Sequence, residues 1–336
     1  MNMEIPKASD LEEKVFTINN EKEFELIALE VYHFQFACNS VYRHYCELVH
    51  KTPSDITSID QIPFLPVSFF KTHKVTTTDF QPELVFKSSG TTGSVSSTHY
   101  LKKASLYEKS FSIAFERFYG PVDQYCIIGL LPSYLERGNS SLVYMVDHLI
   151  RKSGHRDSGF YLNEFEKLYS LLIELEKKGQ KVLLIGVTYA LLDFASQFSL
   201  KLNHTIIMET GGMKGRKKEM IRSELYELLK ADFGVRQIHS EYGMTELLSQ
   251  AYSIDGKFTC PPWMKIVLRD ETDPFTIANA GNNGLSGAIN VIDLANIYSC
   301  SFIATEDVGQ LNYLGSFEVL GRMDNSDIRG CSLMVV

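Results

Sequence analysis

An α/β fold, with mostly parallel sheet layered by helices and a β-rich C-terminal part, is what the sequence predicts, and three observations predict it. Strand-like and helix-like periods alternate through the middle of the chain, as parallel strands with crossover helices require. After about residue 259 the helical periods give way to short strand-like runs and Gly/Asn/Asp turns. The chain has 336 residues and is 44% hydrophobic and 22% charged, which suits one large domain or two ordinary ones with a real core.

The elements follow in order. Residues 21–51 place Phe24, Ile27, Val31, Phe34, Val41, Tyr45 and Leu48 at helical spacing. Asn39-Ser40 should interrupt that helix, because both residues favour caps and turns. Residues 52–74 contain Pro53, Pro63 and Pro66 and should be extended or irregular. Within them Ile62-Pro63-Phe64-Leu65-Pro66 reads as an ordered connection anchored by apolar side chains. Next come a strand at 125–131, a helix at 140–152 and an amphipathic helix at 163–178 closed by Lys178-Gly179. A strand at 181–185, a helix at 189–197, a strand at 205–208 and a helix at 217–230 continue the alternation. A strand at 235–239 and a helix starting near Thr245 complete it. Short strands are predicted at 265–268, 288–293 and 310–313. Three parts result: a helical and irregular segment (1–80) packed on the core, an α/β core (81–258) and a β-rich segment (259–336).

Composition excludes several classes. Lys plus Arg number 33 against 41 Asp plus Glu, a net charge of −8, and counterion release on nucleic acid needs clustered basic charge. No nucleic-acid partner is expected. The N-terminal residues are charged and lack the apolar core of a signal peptide. The longest apolar stretch, 182–192, is too short for a transmembrane segment. The six cysteines are scattered, with no C-x-x-C pair, which favours reduced thiols in a cytoplasmic protein.

Four runs carry chemistry. Ser88-Ser89-Gly90-Thr91-Thr92-Gly93-Ser94 combines two glycines with hydroxyls and can wrap a phosphate in N–H and O–H donors. It has neither the spacing nor the lysine of a Walker A loop. Ser240-Glu241-Tyr242-Gly243-Met244-Thr245-Glu246 follows a predicted strand, where open α/β sheets bind ligands. Thr245 is expected as a helix N-cap, and Glu246 is an oxygen ligand suited to Mg²⁺. Thr305-Glu306-Asp307-Val308-Gly309 and Gly321-Arg322-Met323-Asp324 read alone as turn sequences.

In this order the four runs resemble the [ST]-[SG]-G-T-T-G, Y-G-x-T-E, T-x-D-x-G and G-R-x-D motifs of the adenylate-forming superfamily, which includes acyl-CoA synthetases, peptide-synthetase adenylation domains and firefly luciferase. The runs Ile62-Pro63-Phe64-Leu65-Pro66-Val67-Ser68-Phe69-Phe70-Lys71, 130–137 and Glu209-Thr210-Gly211-Gly212-Met213-Lys214-Gly215-Arg216 look like the acyl-protein synthetases of the bacterial luminescence fatty-acid reductase system.

That resemblance implies the large N-terminal-type domain of adenylate-forming enzymes, and ATP-dependent activation of a carboxylic, fatty acid as an acyl-adenylate with transfer to a thiol. It implies that Ser88, Ser89, Gly90, Thr91, Thr92, Gly93 and Ser94 hold the outer phosphates of ATP. Gly211, Gly212, Tyr242 and Gly243 frame the nucleotide, Thr245 contacts the α-phosphate and Glu246 holds Mg²⁺. Asp307 binds the ribose with Arg322 nearby. Gly186, Val187 and Thr188 are candidates for the acyl pocket, and Cys331 for the acyl acceptor. Coenzyme A or a carrier-protein thiol is the alternative acceptor, and an acyl-accepting reductase is the partner the family suggests.

Two departures stand out. Val95 to Thr98 replace the Pro-Lys that usually follows the glycine loop, with Lys102 or Lys103 as substitutes. The chain also ends soon after Gly321-Arg322, so the usual mobile C-terminal lysine domain is not expected. A nucleotide-binding regulatory protein that has lost catalysis is therefore the rival reading. Metal binding by Cys46 and His50, or a Ser–His hydrolase at His239 and Ser240, has too little of the required pattern.

Overall fold

The computed structural model describes residues 5–88, 95–132, 138–162, 164–211, 221–270, 273, 275–277, 286–312 and 315–323. Helix α1 (Ala8–Lys14) leads to α2 (Glu21–Cys38) and α3 (Ser40–Leu48). Asn39 ends α2 and caps α3, accepting the Tyr42 amide at 3.0 Å while its own amide donates to the Ser299 carbonyl at 2.9 Å. The predicted interruption is therefore a buried anchor to the far end of the chain. Residues 52–74 are mostly irregular, with β1 (Leu65–Pro66) and α4 (Phe69–Thr72). Ile62, Phe64 and Leu65 are buried, as an apolar-anchored connection requires.

Strands β2 (Leu84–Lys87) and β3 (Thr98–Leu101) form a hairpin, and α5 (Ala104–Tyr119) follows. Then β4 (Tyr125–Leu130), α6 (Ser141–Ser153), β5 (Gly159–Phe160), α7 (Phe165–Lys177), β6 (Lys181–Gly186), α8 (Thr188–Ala195), β7 (Thr205–Glu209), α9 (Arg222–Phe233) and β8 (His239–Tyr242) make the alternating part. Helix α7 buries Leu168, Leu172 and Leu175, one stripe at helical spacing. The chain closes with β9 (Ala251–Ile254), β10 (Lys257–Thr259), β11 (Met264–Arg269), β12 (Ser286–Asp293), β13 (Phe302–Leu311) and β14 (Phe317–Arg322).

The order β5-β4-β6-β7-β8 is parallel throughout. Every residue of β4 is buried, as expected of a strand covered on both faces. From β8 the same sheet continues antiparallel through β9, β10, β14, β13, β12 and β11, and β1 pairs parallel with β13. The β-rich part is thus joined to the α/β part by one unbroken sheet.

Three expectations are corrected. The strand predicted at 235–239 starts at His239, because Gly234 in the left-handed conformation ends α9 and the Val235 amide still bonds back to Lys230. The helix near Thr245 is absent, and residues 245–246 form a turn leading to β9. There the buried Asp293 carboxylate accepts the Leu248 and Ser249 amides at 2.7 and 2.9 Å, supplying partners that a helix would otherwise provide. Finally, the T-x-D-x-G and G-R runs lie in β13 and β14 rather than in turns.

Candidate active site

Strands β4, β6, β7 and β8 all end at the same edge of the sheet, where parallel α/β folds place their ligands. A cleft of about 610 Å³ opens there, lined by Ser88, Gly243, Thr245, Glu246 and Arg322 of the predicted residues. With Glu306 of the T-x-D-x-G run, residues of all four motif runs thus meet on one cavity. The base of the glycine loop is closed by two bonds: the Ser88 amide donates to the Ser97 carbonyl at 3.0 Å, and the Ser97 amide to the Ser88 hydroxyl at 2.9 Å. Ser89, Gly90, Thr91, Thr92, Gly93, Ser94, Gly212 and Cys331 lie outside the described residues.

Strand register explains how the last two motifs act together. Asp307 of β13 stands directly opposite Arg322 of β14, and their side chains approach to 3.4 Å. The Tyr242 hydroxyl donates to the other Asp307 oxygen at 2.9 Å. Burial raises the Asp307 pKa, opposed by the Tyr242 bond and by Arg322. Tyr242 is itself fixed edge-on by Phe258 and Phe317, with ring centroids 5.9 and 5.4 Å away.

The Thr245–Glu246 turn is held by its carbonyls. His99 Nδ1 lies 2.8 Å from the Thr245 oxygen, and the Asn296 amide donates to the Glu246 oxygen at 2.8 Å. The Glu246 side chain is buried, which raises its pKa. A Ser97 hydrogen bond and the charges of Arg322 and Lys71 work in the opposite direction.

Gly186, Val187 and Thr188 are buried at the end of β6 and are not among the residues lining this cleft. Thr188 belongs instead to a network around Glu209, a residue outside the four motif runs. The Thr188 hydroxyl and the Gly211 amide both donate to Glu209 Oε1, the latter at 2.6 Å. Ser240 donates to Oε2 at 3.4 Å, and the Thr188 amide reaches the Gly211 carbonyl at 3.2 Å. Glu209 therefore sets the backbone of Gly211, whose φ of +76° suits glycine. The available signal was one acid directly after Ile206-Ile207-Met208, where an apolar strand ends.

Lys102 and Lys103 do not line the cleft. Lys102 packs over the Tyr298 ring at 4.3 Å, and Lys103 pairs with Glu12 at 2.7 Å. Lys71 and Lys87 line it instead. Glu241 also lines it, and burial together with the Glu209 charge pushes its carboxyl up to about 8.

The fold is that of the adenylate-forming enzymes. ATP-bound MatB from Rhodopseudomonas palustris matches with a TM-score of 0.54 at 16% identity, over 73% of this chain and 49% of that one. An ATP-bound RpMatB-BxBclM chimera matches with the same TM-score at 17% identity and the same coverage. This chain thus spans about half the length of those structures. Within that class, it belongs to the acyl-protein synthetase family LuxE, whose model matches residues 11–336. It is 24% identical over 375 residues to the long-chain-fatty-acid–luciferin-component ligase of Aliivibrio fischeri, covering 98% of this chain and 94% of that protein. The Photorhabdus luminescens ligase of the same name is 33% identical over 99 residues, covering 27% of this chain and 84% of that sequence. The protein is therefore an AMP-forming acyl-protein synthetase, an enzyme that couples ATP-dependent activation of a carboxylic acid to acyl transfer. An acyl-protein product favours a protein acceptor over coenzyme A and a catalyst over a purely regulatory binder. Among the described residues no helix is long and apolar enough to cross a membrane.

Proposed function

We propose that this cleft converts a long-chain fatty acid and ATP to acyl-adenylate and pyrophosphate, and that Cys331 then takes the acyl group. The observation that supports the reading is the convergence of Ser88, Thr245, Glu246 and Arg322 on one cavity, with Asp307 held against Arg322. The fatty-acid substrate rests on the activity for which the two ligases are named.

Each step balances. A carboxylate oxygen attacks the α-phosphorus, and the bond to the bridging oxygen breaks as pyrophosphate leaves. A thiolate then attacks the acyl carbonyl and AMP departs with its bonding electrons. Ser88 to Ser94 would cradle the outer phosphates, with Lys71 and Lys87 supplying positive charge at the cleft wall. Thr245 would bind the α-phosphate. Tyr242, Gly243, Gly211 and Gly212 would frame the nucleotide, while Asp307 and Arg322 would take the ribose. Thr188 would act from behind by fixing Glu209, and Gly186 and Val187 would be candidates for the acyl pocket. Most of this is positioning and charge stabilisation.

Glu246 fits a divalent cation: it is a buried carboxylate lining the cleft. Mg²⁺ is commonly held by one or two carboxylates plus phosphates and water, and Glu246 would supply one such carboxylate. Bound there, Mg²⁺ would neutralise phosphate charge. The acceptor protein is a reductase or carrier in this reading, with Cys331 the relay.

ATP–pyrophosphate exchange with Mg²⁺ and a panel of short, long-chain and aromatic acids tests the first step. Exchange dependent on long-chain acids is expected, and its absence with every acid overturns the reading. Intact mass after incubation with ATP and acid tests the second. An acyl adduct lost in Cys331→Ser is expected, and an adduct that survives there removes Cys331 from the relay.

A further inference from the structure

Side chains alternate along β8, and of its residues Glu241 lines the cleft whereas Ser240 and Tyr242 do not. Ser240 and Tyr242 are buried on one face, where Ser240 meets Tyr226 of α9 at 2.6 Å. His239 and Glu241 point to the other, where the Tyr119 hydroxyl of α5 lies 3.4 Å from His239 Nδ1. Tyr107 of α5, Met145 of α6 and Gln250 line the cleft beside Glu241. Glu241 therefore shares the cleft wall with Thr245 and Glu246, the turn proposed above to hold the α-phosphate and the cation, where the acid must meet the nucleotide.

The Glu241 carboxyl is folded toward the reacting turn. A Cβ placed on Gly243 would come within 2.3 Å of Glu241 Oε1 and 3.4 Å of Gln250 Cγ. Gly243 therefore leaves the space that this carboxyl occupies, two residues before Thr245. No ion pair with Glu241 exists among the described residues, and its charged neighbour is another acid, Glu209. Around it the Gln250 Oε1 and Tyr252 hydroxyl are buried without hydrogen-bond partners. A carboxylate here would be desolvated and uncompensated, whereas the protonated acid is a hydrogen-bond donor aimed into the cleft.

We propose that Glu241 is the group that recognises the substrate's carboxylate: as the protonated acid it donates a hydrogen bond to the oxygen that does not attack phosphorus. The inference rests on the acid-activating reading and deepens it. The donor proton stays on Glu241 throughout, and the bonded oxygen becomes the carbonyl of the acyl-adenylate. An ionised Glu241 would instead set two negative groups against each other. The site therefore takes a monocarboxylate with an apolar tail only while Glu241 keeps its proton.

Titratable groups face Glu241 from several elements. On α5 and β9, burial raises Tyr107, Tyr119 and Tyr252 far above neutrality. On its own strand, burial holds His239 below the usual imidazole value. Glu209 of β7 supplies a negative charge, and Glu246 of the adjoining turn is raised by burial from the ordinary carboxylate range.

The test is calorimetric titration of decanoate into the full chain with a non-hydrolysable ATP analogue present, at pH 7 and pH 9.5. A requirement for the protonated acid predicts binding about thirtyfold weaker at the higher pH, since Glu241 titrates at about 8. Glu241→Gln keeps a donor and cannot ionise, so its affinity should change less than about threefold over that range. Gly243→Ala should displace the carboxyl and weaken binding at pH 7 without removing a titrating group. A wild-type affinity that is flat with pH, or a Gln variant that keeps the slope, overturns the proposal. Because binding is read without turnover, failed exchange with intact pH-dependent binding would sink only the adenylation reading. Absence of any saturable decanoate binding overturns Glu241 recognition together with the acid site.

Discussion

Tyr242 and Asp307 are joined at 2.9 Å although 65 residues separate them. The bond ties the end of β8 to β13, and thereby fixes the Y-G-x-T-E turn relative to the strand that carries T-x-D-x-G. A half-buried carboxylate in this position needs the hydroxyl and Arg322, because burial alone pushes it toward the neutral acid.

Tyr242→Phe removes the donor and keeps the ring packed on Phe258 and Phe317. A hydrogen bond to a charged acceptor is worth roughly 1.5–3 kcal/mol. The KM for ATP should therefore rise about ten- to a hundredfold, with kcat much less affected. Initial-rate exchange assays across ATP concentrations check this, and an unchanged KM would remove Asp307 from nucleotide binding.

His99 makes a second prediction, about stability. Its two ring nitrogens face acceptors, the Thr245 carbonyl at 2.8 Å and Asn296 Oδ1 at 3.2 Å. Those contacts favour the imidazolium, but burial outweighs them and lowers the pKa to about 4. The unfolded chain titrates near 6.5, so between those values it binds more protons than the fold does. The stabilisation is complete above about pH 6.5 and is lost as pH falls toward 4, by about 3 kcal/mol in all. Denaturant melts at pH 4.5, 5.5 and 7 should show this slope in the wild type and a shallower one in His99→Gln.

How much of this was legible beforehand depends on where each residue's partners lie. The alternating core was, because the apolar periods of β4, α7 and β6 are local. The motif residues were found by spacing and order. What failed was local structure governed by distant side chains. Thr245 looks like an N-cap, yet Asp293, His99 and Asn296 hold that turn from more than 40 residues away. The β13 and β14 runs look like turns because Gly309 and Gly321 are read without the strands they pair with. Glu209 was missed for the same reason: its donors Thr188, Gly211 and Ser240 come from three segments.

Glu246→Gln keeps size and hydrogen bonding but removes the charge offered to a cation. Exchange should fall at least a hundredfold, while nucleotide binding falls much less. In the wild type, burial raises the Glu246 pKa. A Gln variant with wild-type exchange would exclude a metal role for this carboxylate.

The two motif glycines Gly243 and Gly309 should respond differently to alanine. At Gly309 the new methyl would meet the Glu318 carbonyl oxygen at 2.6 Å and Ile289 Cδ1 at 2.7 Å. Backbone of a paired strand cannot give way cheaply, so Gly309→Ala should cost about 1–3 kcal/mol of stability. At Gly243 the nearest atom is the far end of the Glu241 side chain, which can rotate. Gly243→Ala should thus fold with nearly unchanged stability and lose affinity for the acid instead. Thermal melts paired with decanoate titrations separate the two. The glycine of T-x-D-x-G is then a packing requirement of β13 against β12 and β14, and that of Y-G-x-T-E is a functional one. Equal loss of stability in both variants would collapse that distinction.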